Sequence, residues 1–446
     1  MGARTGLPRQ RRRGGEQDHA VRRREARPRD VRLDPRRRHG RLRDDRSRAR
    51  PLRRLRGGGT VTKRKSDCEV AYAAGGGELR VRVDSSVGVL FGRAIERTAR
   101  EAAAEFGVGS GELRVDDDGA LDYAVAARVE AALRAAGFAR VGPARAAGNA
   151  PAAPRRPIPW RSRLYLPGDQ PDLFPNAGLF GADCLILDLE DSVMPSRKAE
   201  ARILARRVLE AHRGFFGRSA LVVRVNPLAG PFGRDDVAEL GACLPDAILL
   251  PKCESPADVE ALASELDSLE STARGGGRAL IMALVETARG VVAAPSIAAA
   301  SDRVCAVCFG AEDFSRDVGA RRTAGGAEAS LARQSVVLAA KAAGVQAHDS
   351  VYSDSDDDAG FAAYCEAARA MGFDGVGLVH PRQIAIAHRA FDPGPAELEE
   401  ARRIVAALEE AASRGLGVAS IEGKMIDAPV AERARRVVAR ASGEAR

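Results

Sequence analysis

The sequence lacks the long apolar run, of roughly 20 residues, that a membrane-spanning helix needs. Charge interrupts every short apolar stretch near the N-terminus, so no secretory signal is read there either. Zinc spacing is missing: no His pair or Cys cluster stands at the separations that metal would require. The Gly-rich fingerprint of a dinucleotide site is missing as well. Seven cysteines are scattered without a repeated framework, which predicts reduced thiols and a cytoplasmic protein. Cys305 and Cys308 have CxxC spacing, but they sit in an apolar run with no second pair, and they read as buried strand residues. Aromatics make up only 4% of the chain, against 45% hydrophobic and 29% charged residues. Its core must therefore be aliphatic, as in a soluble α/β protein.

Lysine is absent from residues 1–56, although that segment holds 22 Arg against 7 acidic residues, an excess of +15. The net charge of the whole chain is +9, so residues 57–446 carry −6. The basic character belongs to the leader, and a chain-wide nucleic-acid function is excluded. Residues 1–58 have almost no aliphatic periodicity and are expected to be disordered. Two readings of the leader stay open: an RNA-binding arm, or a start assigned too far upstream, with Val61 as the true first residue.

What remains divides into a small module, a linker and a large domain. In residues 61–140, EVAYA, ELRVRVD and ELRVDDDG read as strands. One helix is expected to carry Val87, Leu90, Phe91, Ile95 and Phe106 on one side. A second places Leu121, Val125, Val129 and Leu133 at i, i+4 spacing. Residues 141–160 form an Ala/Pro linker. From residue 161 short aliphatic runs alternate with helical segments: RLYLPG, CLILDLED, ALVVRVN, AILLPKCE, ALIMALVET, RVCAVCFGAED, QAHDSVY and GVGLVHP. Eight such strands predict a (β/α)8 TIM barrel over 161–395, with a C-terminal lid or helical extension over 396–446.

In such a barrel the chemistry sits at the C-terminal ends of the strands. Those ends read Asp188 and Glu190, Arg224, Lys252, Glu286, Asp313, Asp349 and His380. Period-two geometry turns Asp188 and Glu190 toward the barrel mouth and Leu187 and Leu189 toward the helices. Carboxylates crowded there need a compensating cation, and a hard divalent ion held by oxygen fits. Glu286 and Asp313 each close an apolar strand and are the best Mg2+ candidates. Arg224 ends its strand where a carboxylate clamp belongs. Metal plus Arg224 points to an anionic 2-oxo acid and to aldol-type carbon–carbon cleavage or formation.

The order of these motifs carries a resemblance. RSRLYLPGDQPD, LILDLEDSV, VVRVN, LLPKCES, ALVETARG, FGAEDFSRDVG, LVHPRQI and GKMIDAPV resemble the citrate lyase β-subunit family, within the barrel aldolases and acyl-CoA lyases. The resemblance implies Mg2+ on Glu286 and Asp313, and substrate on Arg224 and Glu286. It implies that Asp188, Glu190 and Asp191 anchor the metal's waters, and that Lys252 and His380 are structural or line the pocket. Asp427 is implied as an acid/base residue on the lid, often serving a neighbouring subunit, in a homotrimer or hexamer. From the residues alone, Asp427 reads as a helix N-cap.

Residues 61–140 in turn resemble the citrate lyase acyl carrier (γ) subunit, through VDSSVGVLFGRAIERT and VDDDGALDYAVAARVEAAL. That carrier bears phosphoribosyl-dephospho-CoA on a serine, for which Ser66 is the only serine beside the matching Asp. GTVTKRKSD is two residues longer than the family's pattern. The implied reaction is Mg2+-dependent cleavage of a citryl thioester, on carrier or CoA, to oxaloacetate and acetyl thioester, alongside a transferase (α) subunit. The alternative is a lyase for free malyl-, methylmalyl- or citramalyl-CoA. The rival of another class is a non-catalytic protein with an RNA-binding Arg arm.

Overall fold

A computed structural model describes residues 65–141, 159–241, 243–272, 278–323 and 325–442. The expectations for residues 1–58, for Val61 and for most of the 141–160 linker lie outside the described residues. The chain divides at Thr60/Val61, and every described residue belongs to the second unit.

The module is built from β1 (Cys68–Ala73), β2 (Arg80–Ser85), α1 (Gly88–Ala104), β3 (Glu112–Asp117) and α2 (Asp122–Ala135). Its sheet has the order β1-β3-β2, with β3 antiparallel to β1 and parallel to β2. One expectation is corrected here. Leu90 and Phe91 are 80% and 55% exposed, and the buried stripe of α1 runs instead through Ile95, Ala99, Ala102 and Ala103. Val89, Leu90 and Phe91 in its first turn are all exposed. Leu121 is likewise on the surface, while Val125, Val129 and Leu133 pack into the module core.

The two faces of α2 explain how the module attaches. Val125 and Val129 face the module, whereas Tyr123, Ala124 and Ala127 join the core of the large domain. A helix that is apolar or small on two faces is buried between two layers. Polar groups complete the junction. Glu130, fully buried, accepts from Arg206 and Arg207 at 2.6 Å each and from Arg134 at 2.5 Å. Arg128 donates to both oxygens of Asp67 at 3.0 Å and to the Asp169 carbonyl at 3.1 Å. The Tyr123 hydroxyl donates to the Pro171 carbonyl.

The large domain runs β4 (Ser162–Pro167), β5 (Cys184–Asp188), α3 (Lys198–Ala211), β6 (Ala220–Arg224), α4 (Gly233–Leu240), β7 (Ala247–Leu250) and α5 (Pro256–Thr272). It continues with β8 (Leu280–Val285), α6 (Ala288–Ala298), β9 (Val304–Phe309), α7 (Ala311–Asp317), α8 (Ser330–Ala342), β10 (Gln346–Val351), α9 (Asp358–Met371), β11 (Gly375–Leu378) and α10 (Gln383–Phe391). All eight strands expected from the aliphatic runs close into a parallel barrel, ordered β4 to β11 with β11 beside β4. The strict β/α alternation fails once, since only 3-10 turns follow β4.

Alternation along each strand divides the core in two. Leu185, Leu187, Leu221, Val223, Ile248 and Leu250 pack outward against the helices. Cys184, Ile186, Val222, Leu249, Met282, Leu284 and Cys308 fill the inside. Cys305 and Cys308 are buried in β9 as expected; a register irregularity opposite Ile281 and Met282 lets both face the interior cluster. Beyond the barrel, α11 (Pro395–Ser413), the hairpin β12 (Ala419–Ile421) and β13 (Lys424–Ile426), and α12 (Ala428–Ser442) form a helical extension, with α12 packed on α11. No helix among the described residues is long and apolar enough to cross a membrane.

Candidate active site

The carboxylates at the end of β5 are buried because each has a cation to meet. Asp188 holds Arg224 with both oxygens, 2.7 Å to Nε and 2.7 Å to Nη2. Burial works against its ionised form, but the Arg224 charge and hydrogen bonds outweigh that and keep its pKa below the usual range. Glu190 lies 2.9 Å from Arg224 Nη1 and also receives the Lys252 ammonium. Burial dominates there, and its pKa is raised. The Lys198 ammonium donates to the Leu189 and Glu190 carbonyls at 2.7 and 2.6 Å, fixing the turn after β5.

A cavity of about 360 Å3 opens at this end of the barrel. Asp188, Asp191, Arg224, Glu286 and Asp313 all line it, so the structure brings together residues spread over 126 positions of sequence. Glu286 follows β8 and is 2% exposed. Its Oε1 accepts the Lys252 backbone N–H at 2.9 Å, a contact made with Lys252 in the left-handed conformation at φ 53°. Asp313 stands in the first turn of α7, with Arg316 at 2.5 Å on its outer side. Gly310 makes room for Glu286: a Cβ there would lie 2.6 Å from Glu286 Oε2.

Burial, followed by the charges of Glu190 and Asp313, pushes the Glu286 carboxyl up to about 8. Among the described residues no Lys or Arg side chain pairs with Glu286. A buried carboxyl that feels two other acids and shares a cavity with one of them suits a hard cation. Among the described residues no group of three or more His, Cys, Asp or Glu surrounds a metal position. That is consistent with Mg2+, which usually takes one or two protein carboxylates and fills its remaining positions with water and substrate.

Asp191 lines the cavity from its exposed rim, 4.0 Å from the Lys252 ammonium. Other expected residues fall elsewhere. Asp349 turns its carboxylate away from the cavity to Arg333, because His348 holds the inward position of β10. His380 is exposed and accepts the Arg382 N–H through Nδ1. Asp427 does not line the cavity of its own chain. It caps α12, accepting the Val430 N–H at 3.2 Å. Ser66 sits in the module with φ 58°, its N–H bonded to the Asp118 carbonyl at 2.8 Å.

Sequence reasoning missed Arg163 and Tyr165. Both face inward from β4 and line the cavity, and Tyr165 lies under the Arg224 guanidinium at 5.1 Å. Their signal was present: Arg163 and Tyr165 share one face of a strand whose other face is aliphatic.

A closed parallel barrel with acids and an arginine at the C-terminal strand ends defines the (β/α)8 enzyme class, whose sites occupy that face. Within that class the chain belongs to the HpcH/HpaI aldolase/citrate lyase family, which residues 161–381 match. Membership makes it a carbon–carbon lyase. The citrate lyase subunit beta of Leuconostoc mesenteroides subsp. cremoris is 38% identical over 279 residues, covering 62% of this chain and 92% of that protein. A (3S)-malyl-CoA thioesterase of Cereibacter sphaeroides is 37% identical over 283 residues, or 64% of this chain and 95% of that one. Among solved structures, the protein CitE from Mycobacterium tuberculosis in complex with magnesium, acetoacetate and coenzyme A superposes with a TM-score of 0.54. It is 34% identical and covers 63% of this chain and 98% of its own. Residues 59–136 match an acyl-carrier family described as malonate decarboxylase delta subunit (MdcD).

Proposed function

We propose that the chain cleaves a citryl thioester, borne on CoA or on an acyl carrier, to oxaloacetate and an acetyl thioester. The carrying observation is the buried Glu286 carboxyl, which forms no ion pair among the described residues and lines one cavity with Asp313 and Arg224. Glu286 and Asp313 would hold Mg2+, as the magnesium in the related CitE structure supports. The bound ion supplies a Lewis acid for the oxygen that becomes the ketone. Arg224, held rigid by Asp188, orients the oxo-acid half. Glu190 and Asp191 would add negative charge around a bound ion. The substrate hydroxyl gives up its proton to solvent and becomes the ketone as the carbon–carbon bond breaks; the electron pair of that bond passes to the acetyl α-carbon, which takes a proton from Asp427.

Asp427 would come from a second copy, in a homotrimer or hexamer. Leu331 and Leu338 on α8 and Val292 on α6 stand more than two-thirds exposed, and so does Met425 in the hairpin before Asp427. These apolar residues favour an interface. In the module, Ser66 would carry phosphoribosyl-dephospho-CoA, and a separate transferase (α) subunit would be a partner. The acyl-carrier match supports this, and an intact-mass measurement on protein from its native host tests it.

A second reading, action on free malyl-, methylmalyl- or citramalyl-CoA, is favoured by the relative that acts on (3S)-malyl-CoA. A lyase assay against citryl-, malyl- and citramalyl-CoA, with and without Mg2+, decides between them. Replacing Glu286 or Asp313 with Ala is expected to lower activity about 10^3-fold or more and to abolish its metal dependence. Full activity in both variants would refute the assignment.

A further inference from the structure

Two guanidinium groups line the cavity, and only one is neutralised. Arg224 meets Asp188 and Glu190. Arg163, 1% exposed, donates through Nη2 to the Asp349 carbonyl at 2.7 Å and through Nη1 to Cys308 Sγ at 3.5 Å, while its Nε has no partner. Among the described residues no carboxylate forms an ion pair with it. The Asp349 carboxylate, whose charge is felt at Arg163, is itself paired with Arg333, and the thiol, hydroxyl and imidazole nearby cannot serve as counter-charges. Burial raises the Cys308 thiol, lifts the Tyr165 hydroxyl to about 12 and holds His348 well below its usual value, so all three are neutral.

A buried, uncompensated cation is costly and is retained where something else meets it. The path of the side chain indicates where. Arg163 pairs in register with Cys184 and Gly377, four residues below the Pro167–Asp188 rim, or about 13 Å down the barrel. Its guanidinium nevertheless reaches Cys308, which pairs with the cavity-lining Leu284. The head group thus ends at the cavity floor, below the rim where Glu286 and Arg224 stand.

We infer that Arg163 is a specificity-determining residue that binds a second carboxylate on the oxo-acid half of the substrate. It would select a dicarboxylic oxo acid, such as oxaloacetate, over a monocarboxylic one such as pyruvate or glyoxylate. A citryl thioester supplies that second carboxylate and citramalyl- or malyl-CoA does not. The inference rests on the lyase reading above for its substrates, but its test does not depend on turnover.

The experiment compares the wild-type chain with Arg163→Met and Arg163→Lys. Oxaloacetate and pyruvate are titrated in the presence of Mg2+ and followed by calorimetry, and kcat/KM is measured for citryl-CoA and citramalyl-CoA. Oxaloacetate is expected to bind the wild type at least about tenfold tighter than pyruvate, and the preference is expected to vanish in Arg163→Met. The citryl-to-citramalyl ratio of kcat/KM should fall at least about thirtyfold, and Arg163→Lys should fall between. If Arg163→Met does not fold, Arg163→Gln is read by the same ratios. Equal losses for both oxo acids, or a preference that survives the substitution, overturn the inference. So does a wild type that binds neither oxo acid. A wild type that binds oxaloacetate selectively but cleaves no thioester would overturn the lyase reading and leave the role of Arg163 standing.

Discussion

Asp188 and Arg224, on neighbouring strands and opposite each other in register, form a two-point ion pair at the barrel rim with both contacts at 2.7 Å. The pair fixes the arginine before any substrate arrives. Replacing Asp188 with Asn leaves a buried guanidinium with Glu190 alone and should lower stability by about 2–4 kcal/mol, read by denaturant unfolding. The pH dependence has a definite sign. The folded pKa of Asp188 is depressed, so its contribution is present above the ordinary carboxylate value and is lost as pH falls through the lower folded one. Asp188→Asn should therefore flatten the acid limb of the stability curve.

Glu286 gives the opposite sign. With its pKa raised to about 8, the folded metal-free chain keeps a proton that the unfolded chain releases near 4.5. The metal-free fold loses stability as pH rises between those values. Mg2+ must displace that proton, so its affinity should rise about tenfold per pH unit up to about pH 8 and level off above. Calorimetric titration across this range checks the slope; a flat profile would contradict it.

Gly310 tests the space beside Glu286. A methyl group there would meet Glu286 Oε2 at 2.6 Å and its Cβ at 2.7 Å. Gly310→Ala should displace the carboxylate and cost about 10^2-fold in Mg2+-dependent activity, with the far-ultraviolet spectrum of the fold retained.

The module–barrel junction makes a separate prediction. Glu130 is buried among Arg134, Arg206 and Arg207, which outweigh its burial and lower its pKa. Glu130→Ala leaves those charges facing one another and should cost roughly 3–5 kcal/mol. Calorimetry should then resolve a separate, earlier transition for residues 65–141.

The barrel was legible because each strand is a short aliphatic run bounded by charge, and all eight runs became strands. The rim carboxylates were legible for the same reason, since charge ending an apolar strand has few bland explanations. Asp349 was misjudged because strand-end position does not decide which face a residue occupies; His348 took the inward face. The α1 stripe was misjudged because Leu90 and Phe91 are apolar yet exposed, and apolar character alone does not decide which face of a helix is covered. Arg163 escaped notice because a charge early in a strand reads as an edge residue until the barrel closes around it. Asp427 could be read both ways, and within one chain it is a helix cap.

The central claim is that one divalent cation sits between Glu286 and Asp313. A crystal structure of the chain grown with Mg2+ and oxaloacetate tests it most directly. The expected result is a six-coordinate ion about 2.0–2.1 Å from an oxygen of each of those two carboxylates, with oxaloacetate completing the shell. An ion bound elsewhere, with Glu286 and Asp313 touching only water, would contradict it.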